Sequence, residues 1–318
     1  MSSVAPPLDI APIPQQTTTR TAAPSLWRDT VRNVLRQRSA VVGLALIALL
    51  LFVAIFADVI RTHDPNQSML DAHEVGAKVR AAPCIHLLGC PASQPEHIFG
   101  LDANVRDVFS RIVVGSRVSL LVGVVTVGLA IVVGSLIGAV AGFFAGWSDT
   151  ILMRLMDVLL AFPALLLAIA IVSVLGASLT NAMIAVGIVA VPIYARVMRA
   201  SVLATRENDY VTASKALGES RFGILTRRIL PNAMTPVIVQ GTLGVGGAIL
   251  DVAALSFLGL GTQPPTAEWG SMIGIERNSV FASPHLIVFP GFAIVLTVLA
   301  FNLLGDGIRD ALDPRLNR

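Results

Sequence analysis

Long blocks of apolar residues, separated by charged stretches, constrain this chain more than any other feature. A bilayer core about 30 Å thick takes about 20 helical residues rising about 1.5 Å each. Six segments meet or approach that length: 40–60, 118–144, the run around Leu165–Leu175 that follows Asp157, 182–197 with its Pro192, 234–258 and 286–304. Only 14% of the residues are charged, against 54% hydrophobic, where soluble domains carry about a quarter charged. The expectation is an all-α integral membrane protein of six transmembrane helices. No clustered basic face with interleaved aromatics is present, which argues against nucleic acid as a partner and leaves membrane lipid as the surroundings.

Lys and Arg placement sets the orientation. With the N-terminus inside, Arg28, Arg32, Arg36 and Arg38 precede the first span. Arg196, Arg199, Arg206, Lys215, Arg221, Arg227 and Arg228 then flank one inside loop, and Arg309, Arg315 and Arg318 close the chain. Fewer basic residues fall outside, so both termini are expected in the cytoplasm. Residues 1–25 are polar and rich in Pro, Thr and Ala, without the apolar core of a cleavable signal; a disordered cytoplasmic tail is expected there, and a short tail at 315–318. Residues 26–39 have apolar positions near helical spacing with Arg between. They read either as an amphipathic interfacial helix or as a plain basic flank.

Residues 61–114 form an outside loop holding Cys84 and Cys90. On the oxidising side of a membrane a disulfide is permitted, while sequence alone cannot establish its geometry. Free thiols remain open. Metal binding with His86 and His97 is a third reading, but the spacing matches no standard finger and no metal is assigned. In the second span Gly134, Gly138 and Gly142, with Gly146 beyond, repeat every fourth residue. Such a stripe lets a neighbouring backbone come close, either within this subunit or at an intersubunit or gating contact.

The inside loop at 203–232 is the most informative polar stretch. Ala, Leu and Lys at helical spacing run to Gly218, a natural stop. Phe222, Leu225 and Ile229 then predict a second amphipathic helix, with Pro231 opening the fifth span. This loop resembles the EAA loop of ABC-importer permeases, a Glu-Ala-Ala followed by a Gly and, about nine residues on, by an Ile and Leu-Pro. Ala213, Gly218, Leu230 and Pro231 stand in register; Thr212 replaces the Glu, Ser214 the second Ala, and Arg228 the Ile, with Ile229 beside it.

The resemblance extends over most of 26–314. Phe99-Gly100-Leu101-Asp102, Arg106 to Arg111, Gly115 to Leu120, Met153 to Asp157 with Ala161-Phe162-Pro163, Ala254 to Gly261, Gln263-Pro264-Pro265 and Asn302 to Gly307 are similar to segments of dipeptide and oligopeptide permeases, and their order suits the C-type partner of the pair. The resemblance implies a type I ABC-importer permease fold, with a core domain at 115–314. It also implies a homologous second permease, two ABC ATPase subunits and an extracytoplasmic substrate-binding protein, in a bacterial inner membrane. Thr212, Ala213, Ser214, Lys215, Gly218, Arg221, Phe222, Leu230 and Pro231 would form the ATPase-coupling surface. ATP and Mg would sit on the partner subunits, since this chain has no Gly-rich loop ending in Lys-Ser/Thr; it would itself be non-catalytic and hold no cofactor.

Asp251 lies within the fifth span, where a carboxylate is costly and faces protein or water. It is either a pathway residue that receives a peptide ammonium or a packing and hydrogen-bonding residue. Asp157 with Arg154, on one helical face, reads as a structural pair, and Pro163 and Pro192 as bends. Same-family importers of nickel, glutathione or an oligosaccharide are alternatives for the cargo. A secondary transporter is the alternative class; it predicts an internal repeat and midmembrane ion ligands, and neither stands out. An enzyme would need a convergent catalytic set, which the histidines, all in outside loops or at a span edge, do not form.

Overall fold

A computed structural model describes residues 34–70, 77–91 and 93–312. The tails at 1–25 and 315–318 and most of the expected interfacial helix at 26–39 lie outside the described residues. Eleven α-helices follow in chain order: α1 (Arg38–Ile55), α2 (Ala57–Ile60), α3 (Val108–Phe144), α4 (Gly146–Leu160), α5 (Ala164–Leu175), α6 (Leu179–Arg206), α7 (Asp209–Ala216), α8 (Arg221–Gly223), α9 (Leu230–Phe257), α10 (Trp269–Glu276) and α11 (His285–Leu312). Among the described residues there is no β-strand, only isolated bridges at Cys84 with His97 and Leu101 with Asp107.

Among the described residues five helical segments are long and apolar enough to cross a membrane; α4 and α5 make a sixth span if the pair is taken as one. That pair bends by 90° at Ala161-Phe162-Pro163. Pro163 sits at the N-cap of α5 with an extended ψ of 125°, so the break expected of Pro163 is a sharp corner. Pro192 is instead absorbed inside α6.

The most extensive helix contact joins α3 to α6. A Cβ on Gly134 would stand 2.8 Å from the Cβ of Tyr194, one on Gly138 2.9 Å from that of Met198, and one on Gly142 2.9 Å from the carbonyl of Arg199. The glycine stripe is therefore a seam inside this subunit, which decides between the two readings above. Gly146 is not part of it. The helix ends at Phe144, Ala145 takes φ 56° and Gly146 starts α4 with open space around it. A second seam joins α1 to α11, where a Cβ on Gly43 would lie 2.8 Å from the Ala300 carbonyl oxygen.

With 37 residues, α3 is about 55 Å long, well beyond a bilayer core. Asp107 starts it early by accepting a 2.8 Å hydrogen bond from the Ser110 amide, an acidic N-cap. The surplus length carries Arg111 and Ser116 into a buried cap at the outer end. Arg117 reaches from α3 to the end of α1, donating to the carbonyls of Ala54 at 2.6 Å and Ile55 at 3.0 Å and pairing with Asp58 at 2.8 Å. A cation there satisfies carbonyls that the ending helix leaves without partners.

Gly138→Val is expected to lower the unfolding midpoint in detergent, at a cost of about 1–3 kcal/mol from overpacking. Gly128→Ala, where nothing lies within 4 Å of an added Cβ, is expected to leave it unchanged. Thermal unfolding followed by circular dichroism separates the two.

Candidate functional site

At the end of the bundle where α3 and α6 finish, the chain turns back through α7 and α8 before α9. Arg206 fastens this end by donating to the Gly142 carbonyl at 3.2 Å. The first helix of the projection closes as a Schellman motif: the Glu219 amide bonds the Ser214 carbonyl at 3.1 Å and the Gly218 amide that of Lys215 at 3.0 Å. Gly218 takes φ +80° there, a conformation that glycine adopts without strain. Ser220 then caps α8 by accepting from the Gly223 amide at 3.1 Å.

The second half differs from the expected amphipathic α-helix. Ile224–Ile229 is π-helical, and a wider turn changes which residues share a face. Ile224 and Ile229 are buried, whereas Phe222 is 76% exposed. Pro231 opens the span as expected, in the first turn of α9, a position proline favours.

Inside the projection Val211, Ile224 and Ile229 join the main core with Met198 and Val202. Ser214, at the position of the second Ala of the signature, is buried and donates to the Tyr210 carbonyl at 2.9 Å; only a small side chain fits there. Arg228 pairs with Glu219 at 3.0 Å, and the Tyr210 hydroxyl accepts from Asn232 at 3.1 Å. These bonds tie the two halves together. Thr212, Ala213, Lys215, Gly218, Arg221 and Phe222 are left facing outward, Pro231 is exposed and Leu230 is half-buried.

Sequence reasoning missed Leu217. It counts in the sequence only among the residues at helical spacing before Gly218, yet it is 88% exposed beside the glycine turn. An apolar residue immediately before a helix-stopping glycine was the available signal. The pairing of Asp157 with Arg154 is also corrected. Asp157 accepts from Arg196 of α6 at 2.6 Å, and Asp149 is held by both Nε and Nη2 of Arg199. Basic residues of α6 thus hold α4 across helices rather than along one.

The opposite end is a polar cap. Arg106 bonds Asp102 at 2.8 Å. Arg111, 1% exposed, donates to the Pro65 carbonyl at 2.8 Å and lies 3.6 Å from Asp102. Arg80 reaches Glu276 at 2.8 Å. Glu268 caps α10 through the amides of Gly270 and Ser271, each at 2.8 Å; burial nevertheless raises its carboxyl above the ordinary range, against the pull of those amides. Cys84 and Cys90 form a disulfide with Cα atoms 5.4 Å apart. Beside it the backbones of Cys84 and His97 exchange two hydrogen bonds of 2.9 Å. Among the described residues no group of His, Cys, Asp and Glu has a metal-binding arrangement. Asp251 lies far along α9 from the projection, exposed on the helix surface.

Apolar spans with a rigid projection at one end and a polar cap at the other define a multi-pass membrane protein. Residues 134–318 match the model of the binding-protein-dependent transport system inner membrane component, and residues 25–83 that of the N-terminal TM domain of oligopeptide transport permease C. The dipeptide transport system permease protein DppC of Alkalihalophilus pseudofirmus is 44% identical over 92% of this chain and 91% of its own. The di/tripeptide transport system permease protein DppC of Pseudomonas aeruginosa is 42% identical over 92% and 93%, and the glutathione transport system permease protein GsiD of Pectobacterium atrosepticum 39% over 91% of each. The chain belongs to the family of binding-protein-dependent transport system inner membrane components, as a multi-pass permease subunit of an ABC importer in a bacterial inner membrane. This membership displaces the secondary-transporter reading.

Burial holds the imidazole of His97 below its ordinary value of 6.5, with His63 and His285 adding to the effect and Asp107 opposing it. The unfolded chain then takes up this proton first. His97 leaves stability complete above about pH 6.5 and erodes it as the pH falls towards the depressed folded value. Protection of the cap amides, the observed exchange rate taken relative to the intrinsic rate at each pH, is expected to fall from pH 7 down to about pH 5, and less steeply in His97→Asn.

Proposed function

We propose that this chain is the translocation subunit of an ATP-driven importer of dipeptides or oligopeptides. It pairs with a homologous second permease. Two ABC ATPase subunits, which hold ATP and Mg, bind the cytoplasmic ends of the two permeases, and an extracytoplasmic substrate-binding protein delivers cargo to the polar cap. The permease itself performs no chemistry and carries no cofactor. Names borne by relatives 44% and 42% identical support peptides as cargo; those of relatives 39–41% identical make glutathione, itself a peptide, the alternative within the family.

The observation that carries this reading is the projection within 203–232. Its inner residues are packed, its two halves are bonded to each other, and Leu217 and Phe222 stand almost wholly in solvent. Exposed large apolar residues on a rigid, bonded scaffold mark a protein contact. Thr212, Ala213, Lys215, Gly218 and Arg221 surround them as a polar rim, the anatomy of a docking patch. Thr212 carries no charge and cannot form the ion pair that a Glu would form there, so apolar insertion supplies most of the grip. Buried Ser214, half-buried Leu230 and Pro231 keep the scaffold in shape instead of touching the ATPase.

Phe222→Ala and Leu217→Asp are expected to weaken ATPase association by about 2 kcal/mol or more, as hot-spot truncations do. Neither should shift the unfolding midpoint of the isolated permease, because neither side chain is packed. Co-purification from mild detergent with quantification of the ATPase subunits checks this. Undiminished recovery with both variants would remove the projection as the docking element.

A further inference from the structure

Asp251 is about 9 Å of helix rise from the outer end of α9, inside the membrane-spanning segment. Its side chain is exposed and makes no hydrogen bond or ion pair with a described residue. Other interhelical carboxylates here are matched within the chain: Asp58 by Arg117, Asp149 by Arg199 and Asp157 by Arg196. An ionised carboxylate does not persist against lipid tails. The face of α9 that bears Asp251 therefore meets water or protein.

Among the described residues no other helix of this subunit covers that face. One turn earlier, Gly247 has nothing within 4 Å of an added Cβ, whereas the glycines of the α3–α6 seam meet a neighbour inside 3 Å. The α9 surface beside Asp251 is therefore uncovered within this subunit, with Leu250 exposed next to it. The exposed large side chains of α1, by contrast, include Leu49, Phe52 and Ile55 and no carboxylate, the composition of a lipid-facing surface. The proposed cargoes share one cationic group, the free α-ammonium of a peptide, which glutathione also bears. A single carboxylate matches such a group through charge-assisted hydrogen bonds.

We propose that Asp251 receives the α-ammonium of a peptide in transit, on a water-filled face of α9 that opens towards the second permease. The inference rests on the importer function proposed above and assigns the residue that meets the cargo.

The test uses the whole transporter in proteoliposomes, with its partner subunits and binding protein, importing a labelled dipeptide. Asp251→Asn is expected to import roughly tenfold more slowly, with the second permease retained in the complex, and Asp251→Glu to restore most of the rate. Asp251→Cys is expected to react with a membrane-impermeant cationic methanethiosulfonate, above the wild-type background, and more slowly when the binding protein and dipeptide are supplied. Import by Asp251→Asn at the wild-type rate, or an unreactive Asp251→Cys, overturns the assignment. Loss of the second permease from Asp251→Asn overturns it too, because the carboxylate would then be an interchain ion-pair partner. If the wild type imports but Asp251→Asn is unchanged, only this inference fails; if the wild type imports no peptide, the importer reading falls and takes this one with it.

Discussion

Within a bilayer, apolar side chains gain little by leaving one hydrocarbon surrounding for another, so helices hold together by fitting closely. In this protein that fit is concentrated where α3 lies on α6. Gly134, Gly138 and Gly142 bring the α3 backbone against Val191, Tyr194, Ala195 and Met198. Much of the remaining bundle is placed from this pair: α9 packs on both helices, α5 and α4 lean on α6, and α1 is carried by α11. A larger side chain in the seam would displace every helix referenced to it.

Where the bundle leaves the hydrocarbon, the source of cohesion changes. The outer cap is held by buried ions and capping groups: Asp102 with Arg106 and Arg111, Asp107 at the start of α3, Glu268 at the start of α10 and Glu276 with Arg80. Such bonds favour one geometry over others more than they add stability, because removing a buried charge from water offsets much of what pairing returns. The described parts of the loop before α3 are thereby fixed to α3 and α10, and the end of α1 is tied to α3 through Arg117. A binding protein docking at this end would meet a preformed surface.

The spans were legible because a bilayer is the surrounding that calls for apolar runs of about 20 residues, and the coupling loop because Gly218 and Pro231 punctuate it. The fit of α3 to α6 was half legible. Four-residue spacing announced a close contact, but the partner helix depends on tertiary placement that spacing does not encode. The 90° corner at Pro163 and the cross-helix pairs of Asp149 and Asp157 were hidden for the same reason. Phe222, placed on the coupling surface by the resemblance, was misleading as a member of an apolar face under a period of 3.6. The π-helical turn inserts an extra residue into the repeat, so an α-helical reading of 222–229 places Phe222 on the wrong side.

That π turn also bears on how the ends of the molecule communicate. It runs without a break into α9, which continues from Leu230 to Phe257, about 42 Å of helix. The projection at one end and Asp251 near the other therefore belong to a single rod, packed along its length against α3, α6 and α11. Loops absorb displacement and helices transmit it. A tilt imposed at Leu217 and Phe222 reaches the face around Asp251 without crossing a flexible joint, except where Pro236 removes one backbone hydrogen bond. Because α3 and α6 are locked by their glycines, the compliant partners of α9 are the surfaces this chain leaves uncovered. If the proposed docking holds, movement at the projection would be directed into the face of α9 that bears Asp251 and away from the packed interior of the subunit.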